Sequence, residues 1–406
     1  MSREGETEGD SIGTGERPEV ARGLDPGADA IALRRDWALF AAITFLFMFG
    51  FTVYSGVFRN FFREDLRGDE VGLGGLESLR EIPGLIAALM AGALVAFAEG
   101  RMAALGLAIT AIGIGLSGFA GGYWPLVAIS VFWSVGFHVW ATVQPAIVLT
   151  LAKGIEGGRH LGRMRSVGAA ATIVALALAW LVSLLPAKVP YSAYFVAGGL
   201  AIAASAWLAG MLSHHSSGGK RDRLVVRREY GLYYLLMFLE GCRRQVFSIF
   251  ALFTLIKVYG APLHAILLLS LVNAVLSTAT SPAMGRYIDR VGERKPLTMY
   301  AVGLIVIFLG YATIPNAAWL YALYVADNLL FTFSIGFSTY LHRIVRPGEL
   351  TPCLAMGTTM NHVAAVSLPI VGALVWKASG SYQLPFLVGA GLAVVALLAT
   401  QRIPER

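Results

Sequence analysis

Twelve stretches of predominantly apolar sequence, each long enough to cross a bilayer, leave this chain few ways to fold. They run over about 37–58, 72–97, 102–120, 123–151, 164–185 and 190–212, then over about 231–256, 262–284, 297–314, 317–340, 352–376 and 382–400. A hydrocarbon core about 30 Å thick takes roughly 20 helical residues. Within it every backbone N–H and C=O must be satisfied inside its own segment, and the alternation of barrel strands is absent, so the spans are expected to be helices. A soluble chain of 406 residues would carry polar outer faces on its helices. Here 56% of residues are hydrophobic, 14% are charged, and the mean hydropathy is +0.66. The expected class is an all-α membrane protein with twelve transmembrane helices.

The formal net charge of +7 raises nucleic acid as a partner, but its distribution gives a different reason for it. Basic residues gather in alternate loops: Lys153, Arg159, Arg163 and Arg165; Lys220, Arg221, Arg223, Arg227 and Arg228; Arg286, Arg290, Arg294 and Lys295. The intervening loops hold far fewer, namely Arg59, Arg63, Arg67, Lys188, Lys257 and Lys377. By the positive-inside rule both termini are cytoplasmic, in a multi-pass protein of the cell membrane, with basic clusters placed to touch anionic lipid head groups. Residues 1–36 are expected to form a disordered cytoplasmic tail, Gly-rich and acidic at Glu4, Glu6, Glu8, Asp10, Glu16 and Glu19. Cys242 and Cys353 belong to different spans and suggest no disulfide framework. No local metal-ligand spacing, phosphate-binding loop or nucleophile–base pair is present. No metal, no cofactor and no enzymatic activity are therefore expected.

The longest interior polar break, residues 213–230, is basic and divides six spans from six. This gives bundles at 37–212 and 231–401, a cytoplasmic linker between them, and a short tail at 402–406. One constant shift aligns Leu76 with Leu269, Gly92 with Gly285, Arg101 with Arg294 and Phe47 with Glu240, as a fused pair of six-span units would.

Between spans eight and nine the chain reads Gly285-Arg-Tyr-Ile-Asp289-Arg290-Val-Gly292-Glu-Arg294-Lys295. This resembles the Gly-x-x-x-Asp-Arg-x-Gly-x-Arg-Lys loop of the major facilitator superfamily, and the resemblance extends over residues 37 to 401. It implies a fold of two pseudo-symmetric six-helix bundles with a solute site between them, opened alternately to each side. It also implies that the loop latches a cytoplasmic gate, here Asp289 against Arg163 and Arg165. The copy between spans two and three is degenerate: Ala96 and Phe97 stand where the Asp and Arg would be, with Glu99 nearby. The Gly-Pro pair of drug–proton antiporters and the sugar-porter loops are missing.

Charged residues inside spans are costly, about 2.5–3.5 kcal/mol each at mid-bilayer on insertion scales, and mark function by default. Span seven holds Glu240, Arg243 and Arg244, with Glu240 three and four residues before the arginines and so beside both on a helix. An internal Glu–Arg pair accounts for one arginine. The second needs Asp327 of span ten or an anionic solute. His138 and Gln144 in span four and Asn328 in span ten complete the expected substrate or coupling set. Glu77, Arg80 and Glu81 open span two on the outer side, where they are expected to form an outer gate. Asn361-His362 in span eleven reads more readily as packing.

The sequence therefore points to a monomeric secondary active transporter of a small organic solute, anionic or zwitterionic, with protons as a coupling partner. Two other readings stay open: an efflux pump for hydrophobic or cationic compounds, favoured by Trp133, Phe137, Trp140 and Phe247, and a non-transporting receptor on the same fold.

Overall fold

A computed structural model of the chain describes residues 26–89, 100–152, 157–213, 225–346 and 348–405. Twelve helical elements are present among them, one for each apolar span. The first six are α1 (Pro26–Glu64), α2 (Glu70–Leu89), α3 (Gly100–Ser117), α4 (Tyr123–Leu151), α5 (Gly157–Ser183) and α6 (Tyr191–Ala209). α7 is continuous through Gly231–Gln245, a π-helical turn Val246–Ala251, and Leu252–Lys257. There follow α8 (Leu263–Val291), α9 (Arg294–Thr313), α10 (Ala317–Ile344, with a 3₁₀ turn at Thr332–Ser334), α11 (Leu350–Ser379) and α12 (Gln383–Thr400). α1 starts at Pro26, so residues 26–36 are helical although the sequence assigns them to the tail. The degenerate loop copy around Ala96, Phe97 and Glu99 lies outside the described residues.

The helices end where local chemistry favours it. The Asp69 carboxylate accepts from the Gly72 N–H at 2.7 Å at the start of α2, and the Asn316 side chain accepts from Ala318 and Trp319 N–H groups at the start of α10. Between α1 and α2, Arg67 has φ 51° and the Gly68 N–H returns to the Phe62 carbonyl, 2.9 Å away.

Within the N-terminal bundle α1 packs on α5 and α6, α3 on α4 and α6, and α2 on α4; within the C-terminal bundle α9 and α7 pack on α12, α7 on α11, and α10 on α8 and α9. Lipid tails are as apolar as leucine, so helix association in a membrane relies on close backbone approach. The pair Gly50 and Gly198 provides it between α1 and α6: a Cβ on Gly50 would lie 2.3 Å from the Gly198 carbonyl oxygen. The outward faces are apolar, with Leu105, Leu200, Val306 and Leu398 exposed. Trp124 and Trp319 are exposed at the starts of α4 and α10, and Trp207 near the end of α6, as interfacial aromatic residues are.

The bundles meet along α2 against α11 and α5 against α8. Their close contacts lie toward the face that carries the α1–α2 and α7–α8 turns, opposite the termini. Glu70 of α2 pairs with Lys257 of α7. The Ser78 hydroxyl accepts from the Ile370 N–H at 3.1 Å, and Gly74 lets Pro369 approach so closely that a Cβ would meet its carbonyl at 2.4 Å. Phe62 of α1 meets Phe253 of α7, their ring centroids 6.4 Å apart.

On the terminal face, ion pairs among the described residues tie segments of the C-terminal bundle to each other. Arg227, near the end of the linker, forms a fork with Glu349 before α11 at 2.5–3.1 Å, and Tyr230 donates to the same carboxylate at 2.6 Å. Arg294 reaches Glu405 at 2.8 Å, and Arg343 reaches Glu293 at 3.3 Å.

Candidate functional site

Successive residues on a helix point about 100° apart, and α7 uses this to separate its two arginines. Arg243 turns into the C-terminal bundle. Its guanidinium donates to Asp327 at 2.7 Å and lies 3.6 Å from Glu240, while the Tyr300 hydroxyl donates to both Glu240 oxygens at 3.0 and 2.8 Å. The cation also sits over the rings of Phe331, Tyr300 and Phe247 at 5.3, 5.6 and 6.0 Å. Arg243, Glu240 and Asp327 are 5%, 7% and 2% exposed. The adjoining void of about 20 Å³ has room for a water and for no solute. The network is a buried charge cluster of one guanidinium and two carboxylates. Asp327 therefore partners the same arginine as Glu240, and the second positive charge is left over.

That charge, Arg244, is exposed and faces a cavity of about 540 Å³ between the bundles. The walls come from α1 (Phe51, Tyr54, Phe58, Arg59), α2 (Glu77, Arg80, Glu81), α4 (Trp133, Ser134, Phe137, His138), α7 (Arg244, Gln245, Ser248) and α11 (Thr358, Asn361, His362). Glu77, Arg80 and Glu81, which the sequence assigns to an outer gate, thus line the central cavity. Inter-helix contacts of Glu70, Gly74 and Ser78 occupy the outer position instead. Arg80 is held by an ion pair with Glu77 and stands over the Trp133 ring at 5.3 Å. Arg59 and Arg244 make no ion pair among the described residues, so the cavity presents two guanidinium groups without an ion-pair partner there.

His138 lies where the sequence expects it, deep in α4. Its Nδ1 is 2.8 Å from the Ser134 carbonyl, and its Nε2 is 3.9 Å from a Glu81 carboxylate oxygen. The same oxygen is 3.2 Å from His362 Nδ1 on α11, and the two imidazole centroids are 5.2 Å apart. His362, read from sequence as packing, joins this cluster. Arg59, assigned to a loop because the apolar run fades before it, is on a helix that continues to Glu64. Tyr300 carries no sequence signal, since a tyrosine in a span is ordinary.

Gln144 and Asn328 do not line the cavity; the Asn328 amide donates to the Tyr324 carbonyl one turn back at 2.9 Å. In the loop motif, Gly292 has φ 79° and ends α8 with a conformation that favours glycine. Asp289, Arg290 and Lys295 are exposed and Arg294 holds the C-terminal segment, while Gly285 has open space where a side chain would be. Arg163 and Arg165 are exposed on α5 and make no ion pair among the described residues.

No curated protein matches the sequence. Solved structures with the same fold include the nucleoside transporter NupG (TM-score 0.71, 15% identity, 91% of this chain and 98% of that one). A D-xylose–proton symporter is equally similar (TM-score 0.71, 14% identity, 92% and 98%). A bacterial homologue of the iron transporter ferroportin follows the same architecture (TM-score 0.73, 15% identity, 92% and 99%). The family description "Major Facilitator Superfamily" matches residues 40–350, which include the cavity helices α1, α2, α4 and α7 and the loop motif after α8. The chain belongs to the Major Facilitator Superfamily.

Proposed function

We propose that the protein is a secondary active transporter that moves a small organic anion or zwitterion by rocking its two bundles about the central cavity. One observation carries the substrate class: Arg59 and Arg244 line that cavity without an ion-pair partner among the described residues. A solute carboxylate or phosphate would supply the missing charge through forked hydrogen bonds, the geometry in which guanidinium groups bind such anions. The aromatic wall of Phe51, Tyr54, Phe58, Trp133 and Phe137 would cover an apolar or ring-bearing remainder.

If the termini are cytoplasmic, as the loop charges favour, the cavity is sealed from outside and the conformation is inward-facing. The Asp289 latch to Arg163 or Arg165 then belongs to the opposite, outward-facing state. Coupling to protons is part of the reading, and the protein would work as a monomer.

A panel of solutes tests this. Anionic metabolites should raise the thermal stability of the detergent-purified protein, and the rise should vanish in Arg244→Gln and Arg59→Gln. Stabilisation by lipophilic cations alone would overturn the anion assignment and favour efflux of hydrophobic cations, for which Glu77 and Glu81 beside the aromatic wall are the supporting observation. In proteoliposomes, solute flux indifferent to an imposed pH gradient would remove proton coupling.

A further inference from the structure

We propose that Glu81, His138 and His362 form a binding site for one divalent late-transition-metal ion of the zinc, cobalt or nickel kind, with ligands drawn from both bundles. The ligand atoms of these three residues all lie within 4.8 Å of one another. Two imidazoles and one carboxylate are the donor set such ions favour, and a set that Mg²⁺ and Ca²⁺ do not.

Three further observations point the same way. First, the Ser134 carbonyl, 2.8 Å from His138 Nδ1, accepts the proton of that nitrogen in the neutral ring. This leaves the Nε2 lone pair directed at Glu81, the arrangement in which a second-sphere carbonyl orients a metal-binding histidine. A lone pair and a carboxylate oxygen 3.9 Å apart repel unless a proton or a metal ion stands between them. Second, Glu77 already neutralises Arg80, and Glu81 makes no ion pair with an arginine or lysine among the described residues. The two imidazoles are its side-chain partners within ion-pair distance, and Arg80 acts on it only from farther away. Third, α2 carries a glycine where the rings converge. A Cβ on Gly84 would lie 2.3 Å from His138 Nε2 and 2.6 Å from His362 Cε1, so a larger residue would push the imidazoles apart.

The spacing also suits an ion. Bonds of about 2.1 Å in a tetrahedral site set ligand atoms about 3.4 Å apart. The carboxylate oxygen of Glu81 is 3.2 Å from one ring nitrogen and 3.9 Å from the other, so small side-chain rotations complete the geometry. The positions left open face the cavity and are available to water or solute. Because Glu81 and His138 belong to one bundle and His362 to the other, an ion bound to all three holds the bundles in this arrangement.

Co²⁺ alone is the probe, added to the purified full-length protein in lipid nanodiscs. His214 and His215 of the linker are replaced by Gln to remove background binding. One Co²⁺ per chain with visible d–d absorption bands is expected, displaced by Zn²⁺ and not by Mg²⁺. Loss of an outer-sphere partner alone weakens metal binding about 10–100-fold. Glu81→Gln, His138→Gln and His362→Gln should each therefore weaken it by about 100-fold or more. His362→Asp, which keeps a ligand, should retain the bands and shows that the site tolerates substitution there. His264→Gln should bind as the parent does, and Arg59→Gln and Arg244→Gln should bind no more weakly, which separates this result from the anion reading. Equal Co²⁺ affinity in the three Gln variants, absence of bands up to millimolar Co²⁺, or displacement by Mg²⁺ would each overturn the proposal.

Discussion

Arg243 and Arg244 are chemically identical neighbours, and the structure requires them to fail in opposite ways. Arg243→Met removes the cation of a buried triad and strands two carboxylates. Glu240 keeps the hydrogen bond that the Tyr300 hydroxyl shares between its two oxygens, at 3.0 and 2.8 Å, whereas Asp327 loses its one side-chain hydrogen bond among the described residues, its other oxygen having none there. Removing one partner of a buried ion pair costs about 3–5 kcal/mol, and with Asp327 abandoned the expected loss is about 4 kcal/mol. Asp327→Asn is milder, about 3 kcal/mol, because Glu240 remains 3.6 Å from Arg243. Replacing all three as Glu240→Gln, Arg243→Met and Asp327→Leu leaves no uncompensated charge and should recover most of the loss. Arg244→Gln removes no ion pair among the described residues and should stay within about 0.5 kcal/mol of the parent, while abolishing stabilisation by an anionic solute. Reversible unfolding in mixed micelles with increasing dodecyl sulfate, followed by tryptophan fluorescence, measures the first set, and the solute panel measures the last. An Arg244→Gln protein as unstable as Arg243→Met, or a triple variant no better than Arg243→Met, would refute the division of labour.

Other outcomes follow from named contacts. Gly50→Val places a methyl-bearing carbon 2.3 Å from the Gly198 carbonyl and should cost about 1–3 kcal/mol by overpacking, read by the same unfolding titration. Gly74→Val meets the Pro369 carbonyl at 2.4 Å and should loosen the α2–α11 seam. A cysteine placed at Ser78 would then react faster with a membrane-impermeant maleimide, and an unchanged rate would argue against that seal. Asp289→Asn should slow solute exchange in proteoliposomes. Unaltered exchange would dispose of the latch between Asp289 and Arg163 or Arg165.

The helices were legible because bilayer thickness fixes span length, and even the charge-bearing spans of α2 and α7 kept enough apolar residues to be found. The loop motif around Asp289 was legible because its glycines and charges sit at fixed local spacing. What the sequence hides is direction and convergence. Nothing local tells Arg243 from Arg244; the split follows from which face of α7 meets α9 and α10. Glu81, His138 and His362 come from three helices, the last far along the chain, so no spacing rule connects them, and His362 reads as packing. Glu77, Arg80 and Glu81 seem shallow when depth is counted from the start of a span. They reach the cavity because the seal is made by the turn before them. Gln144 and Asn328 show the converse error: polarity in a cavity helix does not say which face it occupies.

The pairing of Glu70 with Lys257 has a consequence for how the molecule meets its surroundings. The two side chains are 10% and 23% exposed, and the pair bridges the bundles at only one face of the membrane. Dissolved ions screen a part-buried pair like this one less than an exposed pair, and ions on the far side of the bilayer cannot reach it at all. The balance between the two conformations should therefore respond to salinity in one compartment and ignore it in the other. Vesicles with unequal salt inside and out would reveal this as a shift in solute exchange that reverses when the gradient is reversed, and that disappears in Lys257→Gln.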